Sequence, residues 1–395
     1  METAEVTGED VIARARAMIP ALKERSARCV TDRDVPAETV ADMRAAGFFR
    51  ILQPRRWGGY EMHPNVFFEV QKALAEGCMS TGWMYGVVGC HPYELSLFPD
   101  RAQQEVWGSD ADTLASSSYQ PVGRVTRVDG GFRLSGHWGF STGSAHCDWV
   151  LLGALVPPAE PGGAPDQRTF LLPRTDYRID RDAWHVFGLQ GTGSHDIIVE
   201  DAFVPEYRTH RGADGYACTN PGQAENDGPL YALPWAQIFV RSVSTAAFGG
   251  ARAAVKAALD IAQSRISTNT GKASKDDPLL MNAIARAEAQ IGEMEQALRL
   301  SFDALMSHAE RGEPVPMRVR TINAYQSASV VRRLADLVDD MVQLLGGRAI
   351  YTHSSIIQPW LDLHAGRAHV ANDPSLRSGD VVGSLLDQEP KFKFL

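Results

Sequence analysis

The sequence lacks the features that mark several large classes of proteins. Its 395 residues include only five cysteines, which are Cys29, Cys78, Cys90, Cys147 and Cys218. Their number is odd and no C-x-x-C pair occurs, which argues against a disulfide framework or a zinc knuckle and fits a reducing compartment. Basic blocks are also missing, and 39 basic against 48 acidic residues give a net charge of −9. We therefore expect no nucleic-acid partner.

Long apolar runs are missing as well. No segment approaches the roughly 20 apolar residues that a membrane helix needs. The first residues, METAEVTGEDVIARAR, are acidic where a signal peptide would be basic. We therefore expect a cytoplasmic protein with no membrane partner. Its 44% hydrophobic and 22% charged residues are typical of a globular protein, and its length predicts two or three domains.

Hydrophobic periodicity divides the chain into three zones. From Val6 to about Asp112, apolar residues recur every three or four positions, which predicts helices. From about Thr113 to Arg208 the period is two, and VTRVDGGFRLSG predicts a hairpin. Long amphipathic segments follow, and no βαβ alternation occurs. The predicted fold class is α+β, with a helical domain (1–112), a central β-barrel or sandwich domain (113–215) and a helical bundle (216–395).

Familiar catalytic motifs are few. GLQGTGSHD begins like a dinucleotide fingerprint, but Asp196 stands at the third glycine position and a strand follows. A glycine turn between strands is the better interpretation. No G-x-S-x-G elbow, P-loop or H-E-x-x-H occurs. His364 and His369 are five residues apart, which does not place them on one helical face, so we expect no metal site.

Hydroxyl groups and aromatic rings cluster near the ends of two predicted strands, in ASSSYQPVG and GHWGFSTGSAHCDW. Rings beside hydroxyls suit a flat heteroaromatic ligand, although an ordinary strand turn has the same composition. The candidate cofactor-binding residues are Ser117, Ser118, Trp138, Phe140, Ser141 and Thr142.

The order of these motifs resembles the acyl-CoA dehydrogenase superfamily along nearly the whole chain. GHWGFSTG, GLQGTGSHDIIVEDAFVPEYR and VQLLGGRAIY carry that likeness. GFFRILQPRRWGGYEM, STGWMYGVVGCH, FPDRAQQEVWG and HAGRAHVANDP resemble its flavin-dependent monooxygenase branch, the oxygenase components of two-component phenol hydroxylases. The resemblance implies an N-terminal helical domain, a central β domain and a C-terminal four-helix bundle, usually assembled as a homotetramer.

Missing glutamates separate the two branches. A dehydrogenase needs a carboxylate that removes the α-proton of an acyl-CoA. That base lies shortly after the β domain or near the end of the bundle in the family. Here no glutamate occurs between Glu225 and Glu288 or between Glu313 and Glu389. Acyl-CoA dehydrogenation is therefore disfavoured.

The monooxygenase resemblance implies a chemistry and a set of residues. Reduced FMN or FAD would react with O₂ to a C4a-hydroperoxide, which hydroxylates a phenolic aromatic substrate ortho to its hydroxyl. Because no nicotinamide fingerprint is present, a separate NAD(P)H–flavin reductase is implied. His91 matches the histidine that holds the phenol oxygen, Thr142 the hydroxyl that contacts flavin N5, and His369 the histidine near the peroxide.

Some alternatives stay open. Other members of the branch oxygenate nitrogen of an amino sugar or sulfur of a thiophene, and a non-catalytic flavin-binding protein is a third reading. Two positions also depart from the branch, since Gln190 and Leu361 stand where it often has arginine. Both remove a charge near expected phosphate or subunit contacts, so the choice between FMN and FAD stays open.

Overall fold

Helices flank a central group of strands in the computed structural model, which describes residues 6–395 except 159, 161, 267–270, 272 and 392. The helices before the strands are α1 (Gly8–Asp32), α2 (Ala37–Ala45), α3 (Pro64–Gly77), α4 (Met79–Leu95) and α5 (Asp100–Trp107). Those after the strands are α6 (Gly212–Ala217), α7 (Trp235–Ser264), α8 (Pro278–Glu310), α9 (Met317–Leu345), α10 (Ile357–Arg367) and α11 (Ser375–Leu385). This mixture of helix and sheet follows the zones of hydrophobic periodicity.

The strands are β1 (Ala115–Val128), β2 (Gly131–Ser141), β3 (Trp149–Val156), β4 (Asp166–Pro173), β5 (Arg178–Asp180), β6 (His195–Pro205) and β7 (Thr209–Arg211). They form a seven-stranded sheet in the order β5-β6-β2-β1-β3-β4-β7. The first half of β1 pairs with β3 in parallel, and its second half pairs antiparallel with β2.

Two predicted turns are confirmed. Val128 pairs with Gly131 across a two-residue turn, in which Gly130 has a φ of 73°. Such turns need positive φ, which glycine adopts at no steric cost. The segment Gln190–Thr192 forms a short 3₁₀ turn between β5 and β6, so GLQGTGSHD is a turn between strands.

Helix α4 runs through the interior and packs against α3, α7 and β1. Each of its residues from Met79 to Leu95 is buried. A helix that is apolar all round belongs in a core. Buried polar side chains need partners there, because desolvation without a hydrogen bond costs several kcal/mol, of the order of 2–7. His91 and Glu94 are therefore the unusual residues of α4.

The sheet and the helices have separate apolar cores. The sheet has its own apolar core, which includes Phe132, Trp138, Val150, Phe170 and Ile197. A larger core joins the helices. Among the described residues, no helix combines the length and the apolar character that crossing a bilayer requires.

Candidate active site along helix α4

A buried carboxylate joins three elements around His91. Glu94, one turn after His91 on α4, accepts a hydrogen bond from His210 Nε2 of β7 at 3.0 Å through its Oε1 atom. Its Oε2 atom accepts from the hydroxyl of Tyr119 on β1 and lies 3.4 Å from His91 Nδ1. Tyr119 Oη is also 3.4 Å from His91 Nδ1. Glu94 and His91 are fully buried, so this network holds charge away from water.

The partners of Glu94 keep it ionised. Burial opposes the charge, but the hydrogen bonds of His210 and His91, together with the positive charge that these rings carry when protonated, outweigh it and lower the pKa of Glu94 to about 2. Burial and the nearby Glu94 charge raise the pKa of Tyr119 well above its usual value, so Tyr119 remains a hydrogen-bond donor. A carboxylate accepts only. The proton of neutral His91 is therefore on Nδ1, and its Nε2 carries a lone pair.

That Nε2 atom lies among packed aromatic rings. It is buried and has no hydrogen-bond partner among the described residues, and the same holds for Nε1 of Trp235. The His91 ring lies 6.2 Å from Trp235, and Tyr119 lies 5.1 Å from Phe239, centroid to centroid. Phe394 packs on Phe239 at 5.8 Å. An unpartnered acceptor and donor between aromatic rings suit a flat ring that carries a hydroxyl.

Thr142 begins a directed chain of hydroxyl groups. Thr192 Oγ1 donates to the Leu189 carbonyl at 2.9 Å, which uses its only proton. Ser194 must therefore donate to Thr192 across their 2.7 Å contact, and Thr142 must donate to Ser194 across 2.8 Å. The oxygen of Thr142 is left with acceptor capacity only.

Thr142 and His91 lie along one face of α4. Gly143, which follows Thr142, has a φ of 68° and packs so closely that a Cβ would lie 2.9 Å from side-chain carbons of Met84 and Val88. His91 is seven residues after Met84 and therefore on the same helical face, about 4.5 Å along the axis from Val88. The structure thus brings two of the three predicted catalytic residues to one face.

His369 lies at the other end of α4. Its ring packs edge-on against Trp83 with centroids 5.7 Å apart, and its Nδ1 accepts from the Ala371 amide at 3.1 Å. Burial lowers the pKa of His369 to about 4. The ring is therefore neutral at pH 7, with its proton on Nε2. His369 also lines an open cleft of about 420 Å³, together with Arg332 and Arg367.

The other predicted cofactor-binding residues have different surroundings. Ser118 donates to the Gly139 carbonyl at 2.7 Å, and Ser141 donates to Ser116 at 3.0 Å. Ser117 is buried on β1. The ring of Phe140 is 63% exposed beside Ser141.

Trp138 is placed apart from this group. It is fully buried in the core of the sheet. Its indole N–H donates to the carbonyls of Gln120 and Gly153. All its polar capacity is therefore used inside the sheet.

Sequence reasoning missed four residues of the site, which are Glu94, Tyr119, Ser194 and His210. Glu94 had a readable signal, because it is the one charged residue in a helix that is otherwise mostly apolar. Such a carboxylate requires partners. His210 had none, since β7 brings it to Glu94 from 116 positions along the chain.

Comparisons with known proteins identify relatives of this chain. Residues 242–374 match the family described as acyl-CoA dehydrogenase, C-terminal domain. The chain is 36% identical over 365 residues to the flavin-dependent monooxygenase, oxygenase subunit HsaA, of Rhodococcus jostii, covering 91% of this chain and 94% of that protein. A pigment production hydroxylase of Rhodococcus erythropolis is 35% identical, over 86% and 87% of the two chains.

The structural comparison gives the same result over the full length. The crystal structure of 3-HSA hydroxylase from Rhodococcus sp. RHA1 superposes with a TM-score of 0.92 at 34% identity, covering 98% of this chain and 99% of that chain. Identity and coverage at these levels are shared by enzymes of one family. The chain therefore belongs to the flavin-dependent monooxygenase oxygenase subunits, which have the fold of the acyl-CoA dehydrogenases.

Proposed function

We propose that this protein hydroxylates a phenolic aromatic substrate ortho to its hydroxyl, using O₂ and a reduced FMN or FAD that a separate NAD(P)H–flavin reductase supplies. The observation that carries this proposal is the unpartnered Nε2 of His91, buried among aromatic rings with the Glu94 carboxylate behind the ring. The naming of relatives as oxygenase subunit and hydroxylase supports both the reductase partner and the reaction.

His91 acts as the proton acceptor for the substrate. The phenol O–H bond breaks as a new N–H bond forms at Nε2, and the resulting phenolate is richer in electrons at its ortho carbons. Proton acceptors positioned in this way contribute about 10²–10⁴-fold to rates. The Trp235 indole N–H is a donor that can hold the phenolate oxygen. Both residues are buried, so the charge forms away from water.

The residues along α4 and β2 fit a reduced flavin, which when bound supplies the activation of O₂. Thr142 Oγ1 offers only acceptor capacity, because its proton is directed to Ser194. Reduced flavin carries an N–H group at N5, whereas N5 of oxidised flavin is an acceptor. The hydroxyl chain therefore favours the reduced form. His369 presents an N–H donor from the neighbouring turn.

Other residues support the cofactor more distantly. Ser117, Ser118 and Ser141 shape the β1–β2 wall, and the exposed ring of Phe140 is suited to stacking. Trp138 supports this wall from inside the sheet. Arg332 and Arg367 in the cleft beside His369 suit a flavin phosphate, which leaves FMN and FAD both open.

The family likeness also supports an architecture and a setting. We assign a helical domain (1–112), a central β domain of barrel or sandwich form (113–215) and a four-helix bundle within 216–395. The assembly is a homotetramer, and its location is the cytoplasm.

The test is a substrate panel with the purified protein and anaerobically reduced FMN or FAD, mixed with oxygenated buffer. The panel compares simple and fused-ring phenols with aromatic amines, an amino sugar and thioethers, and products are identified by mass spectrometry. We expect ortho-dihydroxy products from phenols. Oxygenation of amines or thioethers while all phenols remain unreacted would contradict the proposal, as would flavin binding without any product.

A further inference from the structure

Packing alone does not explain the polar partners of the buried Glu94 carboxylate. Its two carboxylate oxygens meet three side chains from three elements, which are His91 on α4, Tyr119 on β1 and His210 on β7. An apolar residue would fill the same space without a desolvation cost. Behind a histidine whose other nitrogen is unpartnered, a carboxylate of this kind fixes the tautomer and the ring orientation.

We propose that Glu94 and His210 are positioning residues for His91. Glu94 directs the Nδ1 proton of His91 toward itself, keeps Nε2 free to accept the phenol proton, and stabilises the imidazolium that this transfer creates. His210 orients the carboxylate through Oε1, so that Oε2 remains directed at His91 and Tyr119. The inference rests on the proposed function, since it concerns the proton that a phenolic substrate gives up.

The proton count is simple. Before transfer, the site holds a neutral phenol, a neutral His91 and the Glu94 anion. After transfer, it holds a phenolate, a His91 cation and the same anion, so the proton stays within the site. The attraction between His91 and Glu94 increases in this step, because an ion pair replaces a neutral ring beside a charge.

Few other titratable groups face this pair. Among the described residues, Cys90 lies on the same helix, Tyr119 faces it from β1 and His210 from β7. Helix α7 contributes the rings of Trp235 and Phe239, which do not titrate. Burial raises the pKa of Cys90, so this thiol stays neutral. The charge on Glu94 is therefore the feature to test.

The experiment measures the ionisation of a bound phenol. We would bind 4-nitrophenol to the flavin-free protein at a pH about one unit below its free midpoint and record the phenolate absorption band. The wild-type protein should bind it largely as phenolate. Glu94→Gln keeps the shape and removes the charge, and its amide can donate to Nδ1 and reverse the tautomer. The phenolate fraction should then fall at least several-fold, together with the hydroxylated product per O₂ consumed.

Two further variants separate positioning from folding. His210→Ala should lower the phenolate fraction, whereas His210→Gln, which can still donate to Oε1, should restore most of it. Glu105→Gln is the matched control, because Glu105 accepts from the Tyr207 hydroxyl and Arg208 Nε, both at 2.6 Å, away from His91. It should behave as the wild type.

The outcomes decide between the inference and the function on which it rests. If the wild type hydroxylates phenols but leaves 4-nitrophenol protonated or unbound, or if Glu94→Gln and His210→Ala match the wild type in both measurements, the inference is overturned. A wild type that hydroxylates no phenol overturns the proposed function as well. If Glu94→Gln does not fold, the His210 pair gives the decision alone.

Discussion

At the two ends of helix α4, burial and hydrogen-bond partners shift the pKa of a carboxyl group in opposite directions. Near its carboxyl end, Glu94 is placed with two histidines, whose hydrogen bonds, together with their charge when protonated, lower its pKa to about 2 despite burial. Beyond its amino end, Asp362 of α10 accepts hydrogen bonds from two neutral donors among the described residues, the Leu189 amide at 2.6 Å and Gln358 Nε2 at 2.7 Å. Burial there raises the pKa of Asp362 to about 6.

His91 and His369, near the two ends of α4, also differ in the partner of their Nδ1 atom. His91 faces a carboxylate with Nδ1 and presents a lone pair, whereas His369 accepts a backbone amide with Nδ1 and presents an N–H group. One end is therefore arranged to take up a proton and hold charge, and the other to remain neutral and donate. The partner of Nδ1, rather than the residue type, decides the chemistry of each ring.

The largest effect is expected at the charged end. His91→Ala removes the proton acceptor and should lower phenol hydroxylation about 100-fold or more. Oxygen consumption should continue, with H₂O₂ as the product, and the dissociation constant for reduced flavin should change little. Product and H₂O₂ are measured in the same reaction. If flavin binding were lost as well, His91 would not act on the substrate alone, and the assignment of separate roles to the two ends of α4 would be wrong.

At the neutral end, Asp362→Asn tests the raised pKa through stability. The folded pKa lies above the unfolded value near 3.8, so the contribution of Asp362 is fully present below about pH 4 and is lost as the pH rises through 6. The variant should therefore gain about 3 kcal/mol relative to the wild type between pH 4 and pH 7. His369 titrates in both proteins and cancels in the difference.

Denaturant unfolding at a series of pH values measures this difference. Asp260→Asn at an exposed position of α7 is the control and should show no such trend. A flat difference for Asp362→Asn would mean that burial does not raise the pKa of Asp362.

His369→Ala should have a smaller effect than His91→Ala. Loss of one neutral hydrogen-bond donor corresponds to about 10-fold, and it should be observed as more H₂O₂ and less product. Because burial lowers the pKa of His369 to about 4, the deficit should be constant from pH 6 to pH 8. His369→Gln retains an N–H donor and should recover part of the yield. A deficit that titrates near neutrality would show that His369 acts as a charged group.

Ser194→Ala should give the smallest change, in binding selectivity alone. Without Ser194, the Thr142 hydroxyl can turn and donate to oxidised flavin. The ratio of the dissociation constants for oxidised and reduced flavin should fall several-fold, up to about 10-fold. Ser244→Ala is the control, because that buried hydroxyl donates to the Arg241 carbonyl within α7. An unchanged ratio for Ser194→Ala would contradict the proposal that Ser194 directs the proton of Thr142.

Periodicity predicted the helices, the strands and the hairpin, because each depends on local spacing of apolar residues. The resemblance supplied His91, Thr142 and His369, and the structure gives each of them partners that suit its proposed role. The partners themselves could not be predicted. Glu94 and His210 meet only after β7 packs against α4, and the direction of the Thr142 chain depends on a carbonyl in the turn at Leu189.

The most direct measurement uses ¹⁸O₂ with the wild type and His91→Ala under identical conditions. A phenol from the panel is oxidised with reduced flavin, and the labelled product is quantified by mass spectrometry beside the H₂O₂ released. We predict one ¹⁸O atom ortho to the hydroxyl in the wild-type product, and almost none from His91→Ala, whose oxygen is recovered as labelled H₂O₂. Equal yields of labelled product from the two proteins would contradict the role of His91 as the proton acceptor.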